Sequence, residues 1–219
     1  MYYQETKNKM HVKRQTIQKT WPIPRKGTKY IIVASHNKKT NLPILIILRD
    51  MLKVAKDRKE VKRILQEAKI SLNNKVVKRE ELTVSPFDII KIGNKNYELV
   101  FSDRGKFILR ETARKEQILK IIGKKILRGK KIQLNLMYGK NILVDNKEKA
   151  KIKIGDSAII ENEKIVKILP TEIGREAIIL DGKYRGKEGK IEKIEHAIAT
   201  ILYKKEKINV PIKNILAIK

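Results

Sequence analysis

The chain contains no cysteine, which excludes disulfides, thiolate nucleophiles and cysteine-ligated zinc. Its three histidines, His11, His36 and His196, are scattered, with no carboxylates at ligand spacing beside them, so no metal site is expected. Long apolar runs are missing as well. The longest, residues 42–48, falls far below the length of a membrane span, contains Pro43 and runs into Arg49 and Asp50. The first residues, Met1-Tyr-Tyr-Gln-Glu-Thr-Lys7, have no apolar core of the kind a signal peptide needs, so a cytoplasmic protein is expected. Acidic residues are scarce beside basic ones, 24 against 52, which leaves a formal charge of +28. Such an excess opposes compaction unless a polyanion neutralises it, and without a spanning segment nucleic acid is the better polyanion than a membrane surface.

Catalytic patterns are also lacking. Gly123 and Gly129-Lys130 have five residues between the glycines where a phosphate-binding loop needs about four, and Lys131 replaces the magnesium-binding Ser or Thr. Gly182, Gly186 and Gly189 do not follow dinucleotide spacing. Glu80-Glu81 and Glu161/Glu163 lie among lysines in polar turns and read as solvated surface charge rather than acid–base pairs. No nucleophile, base and orienting partner assemble, so no enzyme and no cofactor are expected.

A length of 219 residues suggests two or three small domains with separate cores. The most organised stretch is residues 57–77. Val61, Ile64, Leu65 and Ala68 recur at helical spacing, Asp57 is placed to cap, and Glu60 is placed to close a capping box. Arg58 with Lys62, and Lys59 with Arg63, form two outward rows of cations suited to phosphates. Asn73-Asn74, between short apolar runs, predicts a hairpin turn, because Asn tolerates positive φ. Upstream, residues 42–52 predict a helix with Asn41 as cap, Pro43 in its first turn and Leu45, Leu48 and Leu52 on one face.

Residues 1–41 form a basic arm whose sole acid is Glu5, while Lys7, Lys9, Lys38 and Lys39 are among its many cations. A solvated, disordered tail is one reading of this arm, but Ile17, Trp21, Pro22, Ile23, Pro24 and Tyr30 interrupt the charge, giving fixed turns and rings that could anchor against protein or stack on bases, and ordering on RNA is the favoured expectation. Beyond the hairpin, strands are predicted over 82–92, 97–101 and 107–110, then over 117–122, 131–136, 141–144, 157–160 and 165–169. Turn residues between the later strands are Gly123, Tyr138-Gly139, Asp145-Asn146, Gly155-Asp156 and Asn162, a spacing that suggests a small β-barrel. The last segment predicts strands around a basic glycine loop, Gly182 to Gly189, whose glycines would let the backbone sit near a phosphate chain. A glycine-turned hairpin of an ordinary small barrel is the other reading of that loop.

Several stretches carry a family resemblance. Asp57-Arg-Lys-Glu-Val-Lys62 followed by Ile70-Ser-Leu-Asn-Asn-Lys75 resembles the S-four RNA-binding domain, with Ala68 and Asn74 where that domain prefers glycine. His11-Val-Lys-Arg14 with Trp21-Pro-Ile-Pro-Arg-Lys-Gly27, residues 131–145, and the KOW-like segment 176–191 resemble, in order, the archaeal and eukaryotic small-subunit ribosomal protein S-four-e family. The resemblance implies an α+β and all-β multidomain chain. Its parts would be a basic N-terminal arm (1–41), an S-four domain of two helices on a small sheet (42–111), a central small β-barrel (112–172) and a C-terminal SH3-like KOW barrel (173–219).

It further implies a structural constituent of the small ribosomal subunit that binds ribosomal RNA and supports assembly and translation. Partners would be small-subunit rRNA and neighbouring ribosomal proteins, with no membrane and no homo-oligomer. The expected RNA-binding residues are Lys13, Arg14, Lys19, Trp21, Arg25, Lys26 and Lys29 of the arm. To these are added Arg49, Arg58, Lys59, Lys62, Arg63, Lys75 and Lys78 of the S-four domain, and Lys183, Arg185 and Lys187 of the KOW loop. The alternatives are an RNA-modifying enzyme or a transcription factor carrying S-four or KOW modules.

Overall fold

The apolar residues that interrupt the basic arm give it a place in the core. The computed structural model describes residues 11–37, 40–128, 131–144 and 152–218. It divides into two units, Met1–Leu99 with Phe107–Glu111, and Val100–Lys106 with Thr112–Lys219. In the first unit β1 (His11–Lys13) pairs antiparallel with β2 (Tyr30–Ile32), His11 opposite Ile32. Trp21, Ile31, Ile32, Val33 and Ala34 are all buried. The Ser35 amide donates to the Glu81 carbonyl at 3.0 Å, and Phe107 donates to the Thr20 carbonyl at 3.0 Å. The expectation of an arm ordered only on RNA is therefore corrected for residues 11–37. Their apolar side chains and backbone donors are already engaged by the same unit, and burying them offsets the entropy of ordering the segment. Lys7, Lys9, Lys38, Lys39, Gly129-Lys130 and Asp145-Asn146, named above, lie outside the described residues.

The predicted helix over 42–52 is also revised. Leu42–Pro43 is a short strand, β3, paired with β6 (Thr83–Val84). The helix begins after it as α1 (Ile44–Ile46) and continues as a π-helical turn, Ile47–Met51. Pro43 precedes the first turn instead of lying within it, and Asn41 does not cap. The first helical amides go elsewhere: Ile44 donates to the Leu82 carbonyl at 3.0 Å and Leu45 to that of Glu80 at 3.1 Å. Residues 44–48 are buried on every side, as expected of a helix that is apolar all round.

The second helix, α2 (Arg58–Gln66), starts where its cap predicts, with the Glu60 amide donating to Asp57 Oδ1 at 2.8 Å. Glu60 does not close the expected box on Asp57. Its Oε2 accepts instead from the Lys56 amide, one residue further out, at 2.7 Å. Val61 and Leu65 are buried and Ile64 half-buried, but Ala68 lies beyond the helix with φ +53, the left-handed ending for which glycine would be the easier residue.

The hairpin of β4 (Ile70–Leu72) and β5 (Lys75–Val76) forms as predicted, with Asn73 and Asn74 at φ +49 and +67. Asn73 has a second reason to be there. Its Nδ2 donates to Asp88 Oδ1 and its Oδ1 accepts from the Ile89 amide, each at 2.9 Å, which ties the turn to the next strand. That strand is β7 (Ile89–Ile92), followed by β8 (Lys95–Phe101) and β9 (Phe107–Thr112), giving a sheet ordered β5-β4-β7-β8-β9.

The second unit carries two five-stranded antiparallel sheets. The first contains β10 (Gln117–Ile126), β11 (Ile132–Leu136), β12 (Asn141–Val144), β13 (Ser157–Glu161) and β14 (Lys164–Leu169), ordered β12-β11-β10-β13-β14. Gly123 is not a turn residue here but sits in β10 beside a bulge, where the register against β11 shifts. The other contains β15 (Glu176–Ile179), β16 (Glu188–Glu195), β17 (Ile198–Tyr203), β18 (Glu206–Pro211) and β19 (Ile215–Ala217), ordered β18-β17-β16-β15-β19. Inward residues at every second position give each sheet its own apolar cluster, one around Ile121 and Leu134, one around Ile179 and Ile201. The described fold is thus mostly β, with few helices.

Polar groups tie the two sheets together. Buried Lys120 on β10 donates from Nζ to the carbonyls of Ile212 and Ile215 at 2.5 and 2.6 Å, and the Ala217 amide donates to Ser157 Oγ at 2.9 Å. Burial pushes the Lys120 ammonium down to about 8, with Asp156 opposing the shift. Lysine in the unfolded chain titrates at about 10.4, so the unfolded state binds more protons between the two values. This contribution to stability is therefore fully present above the unfolded pKa and is lost as pH falls through about 8. Chemical denaturation of wild type and Lys120→Met should show wild type gaining roughly 3 kcal/mol on the variant between neutral pH and the unfolded pKa. Parallel pH profiles would show that Lys120 does not titrate in that window.

Candidate nucleic-acid interface

The expected binding cations fall into three groups once their surroundings are known. In the arm, Lys13, Lys19, Arg25, Lys26 and Lys29 are exposed. Arg14 is turned inwards: its Nε and Nη1 donate to the carbonyls of Thr28 and Pro24 at 2.8 and 2.7 Å, and its Nη2 donates to Thr28 Oγ1 at 2.9 Å. It staples the loop that carries Arg25 and Lys26. Trp21, expected to offer a ring to a base, is only 4% exposed, so in this conformation it holds the arm in place instead.

On α2, Lys59, Lys62 and Arg63 are exposed, with Arg63 Nε 3.8 Å from Glu67 Oε1, and Lys75 and Lys78 are exposed nearby in sequence. Arg49 pairs with its neighbour Asp50 at 2.8 Å. Arg58 is different from its row-mate. Its guanidinium binds both carboxylate oxygens of Glu80, with Nε at 2.8 and 3.0 Å and Nη2 closing the fork. This hydrogen bonding raises Arg58 above its ordinary pKa. Glu80 is 6% exposed, which corrects its reading as solvated surface charge, and Lys62 Nζ lies 3.8 Å from its Oε1. A carboxylate taken out of water here is held by a bidentate arginine, as burial requires.

The glycine loop between β15 and β16 carries the third group. Gly182 has φ +95 and open space around it, but a Cβ on Gly186 would lie 2.1 Å from the Ser102 carbonyl oxygen and one on Gly189 2.3 Å from that of Leu202. Two of the three glycines are therefore required by close backbone packing within the unit and not by approach of a phosphate. Arg185 stacks on the Phe101 ring at 3.9 Å, and burial lowers its pKa, with Tyr138 and Asp181 opposing.

Lys183 and Lys187 stay with the rings. Lys183 Nζ is 5.5 Å from the Tyr184 centroid, and Lys187 Nζ is 5.1 Å from Tyr184 and 4.5 Å from Tyr203. Lys204 joins them at 5.1 Å from Tyr203, whose hydroxyl donates to Asp103 at 2.9 Å. Its pKa is raised, first by hydrogen bonding to Tyr203. Tyr184, Tyr203 and Lys204 did not emerge from the sequence. Tyr184 lies inside the quoted loop, and Tyr203 stands just before the Lys204-Lys205 turn, so position was legible but proximity was not.

These features define a mostly β, multidomain, strongly basic protein. The model of ribosomal family S4e matches residues 93–168. The small ribosomal subunit protein eS4 of Methanocella arvoryzae is 37% identical over 191 residues, covering 84% of this chain and 81% of the relative. That of Nanoarchaeum equitans is 34% identical over 195 residues, covering 85% and 82%. The crystal structure of the 30S ribosomal protein S4e from Thermoplasma acidophilum superposes with a TM-score of 0.68 at 26% identity, over 82% of this chain and 95% of that one. The chain belongs to the S4e family of ribosomal proteins.

Proposed function

We propose that this chain is a structural constituent of the small ribosomal subunit, in the cytoplasm, that binds ribosomal RNA and supports subunit assembly and translation. The observation that carries this is family membership over most of the chain, with relatives named as small-subunit proteins, joined to a formal charge of +28. Its mechanism is phosphate neutralisation and recognition of RNA shape by cations fixed on a folded scaffold.

Four parts divide the work: an arm over 1–41, an S-four domain over 42–111, a central β-barrel over 112–172 and an SH3-like KOW barrel over 173–219. The helix-helix-hairpin order of residues 44–76 and the separate sheets over 117–169 and 176–217 support this division. The binding surface takes Lys13, Lys19, Arg25, Lys26 and Lys29 from the arm, Lys59, Lys62, Arg63, Lys75 and Lys78 from the S-four domain, and Lys183 and Lys187 from the KOW loop. Arg14, Trp21, Arg49, Arg58 and Arg185 set the shape of that surface. Neighbouring ribosomal proteins complete its environment, and no catalytic step is assigned to it.

Binding of the purified protein to small-subunit rRNA fragments should weaken steeply with salt. On duplex, log affinity falls with a slope of about −0.9 per phosphate neutralised. A slope several times that value is expected in filter binding across a salt series. A nearly flat dependence would remove the cations from the interface.

A further inference from the structure

The cluster on the last sheet holds more aromatic surface than phosphate binding requires. A protein that tracks a duplex backbone needs cations alone, because the faces of paired bases are hidden, whereas one that takes unpaired nucleotides adds rings on which bases stack. Tyr184 and Tyr203 are both half-buried and pack against the apolar cluster of β15–β19. Lys187 lies within 5.1 Å of both centroids, so the two rings share one ammonium group, while Lys183 lies 5.5 Å from the Tyr184 centroid and Lys204 5.1 Å from that of Tyr203.

The Tyr203 ring is also oriented in advance by its hydroxyl bond to Asp103. A ring already fixed loses little freedom on binding, which favours stacking.

We propose that Tyr184 and Tyr203, with Lys183 and Lys187, form a site for an unpaired nucleotide of RNA, the base stacking on a tyrosine ring and the phosphate held by the two ammonium groups. The proposal rests on the reading that this chain binds RNA. Asp103 lies 3.6 Å from Lys204 Nζ and repels a phosphate there, so the phosphate sits between Lys183 and Lys187. Lysine stems are flexible, and an ammonium that swings from a ring face to a phosphate uncovers that face for the base.

Photocrosslinking tests the site directly. The full chain is mixed with a short single-stranded oligouridine carrying one 5-iodouridine, irradiated, and the crosslinked residue located by peptide mass spectrometry, with filter binding of the same oligomer measured in parallel. Crosslinks at Tyr184 or Tyr203 are expected. The pair Tyr184→Leu with Tyr203→Leu should abolish them and weaken binding about tenfold, the scale of one lost base stack. Because both rings also support the core, Tyr184→Phe with Tyr203→Phe is made alongside; it keeps the rings and should keep the crosslinks. An oligomer that binds but crosslinks only elsewhere overturns the nucleotide site and leaves RNA binding intact. Failure of both the oligomer and an rRNA fragment to bind overturns the RNA reading itself, and this site with it.

Discussion

Gly186→Ala should destabilise the second unit by about 3–5 kcal/mol and lower its Tm by about 10 °C. A methyl group at this position meets the Ser102 carbonyl oxygen at 2.1 Å and Phe101 Cβ at 3.0 Å. The first of these is backbone, which cannot swing aside as the end of a long side chain does. The residue also has φ +88, a region an L side chain enters only with strain, while its amide is held on the Ile179 carbonyl at 2.8 Å. Gly182→Ala is the natural contrast, since φ is +95 but no described residue stands within 4 Å of an added methyl, so only the backbone strain of about 1 kcal/mol applies. Thermal melts of the two variants decide between packing and phosphate approach. Were Gly186 needed for phosphate contact instead, Gly186→Ala would melt like wild type and lose RNA affinity.

Arg58→Glu should cost about 2–3 kcal/mol of stability, although Arg58 is a surface residue of a highly charged helix. The cost arises at Glu80, 6% exposed, which loses a bidentate partner and gains a like charge. Breaking a fully buried pair costs about 3–5 kcal/mol, and the half-exposed arginine, with Lys62 at 3.8 Å and a helix N-terminus that tolerates a carboxylate, brings the figure down. Lys62→Glu should stay within about 1 kcal/mol of wild type, because its side chain is 57% exposed and its ion pair long. Adding Glu80→Gln to Arg58→Glu should recover part of the loss, a coupling that a double-mutant cycle by urea denaturation reads directly. Equal, small effects of Arg58→Glu and Lys62→Glu would show that Glu80 is held by other means. Any RNA-binding defect of an Arg58 variant must accordingly be measured on protein shown to be folded.

What could be read from the sequence was local. Asp57 capping α2 and the Asn73-Asn74 turn depend on neighbours a few residues away, and both form as their residue types dictate. Pro43 misled because β3 exists only through pairing with β6, and the helix amides that Asn41 was expected to serve are taken by Leu82 and Glu80. Trp21 among cations looked like an exposed ring, yet it is 4% exposed, and the backbone beside it, at Thr20, is bonded by the Phe107 amide, far away in sequence. The same holds for the site. Lys183 and Lys187 were visible as cations beside glycines, but Tyr203 and Asp103 come to them only through the fold. Glycine identity alone likewise could not separate Gly182, which turns the chain in open space, from Gly186, which lets two backbones touch.

A built-in part of the small ribosomal subunit should not leave it when weak ionic contacts are screened. Sedimentation of a native lysate through a sucrose gradient, followed by a high-salt wash of the subunit fractions and immunodetection of the chain, tests most directly whether this chain is such a part. The protein should stay with the small subunit through the wash, in constant ratio to its RNA. Release of the protein to the top of the gradient, or its migration with RNA polymerase, would contradict it.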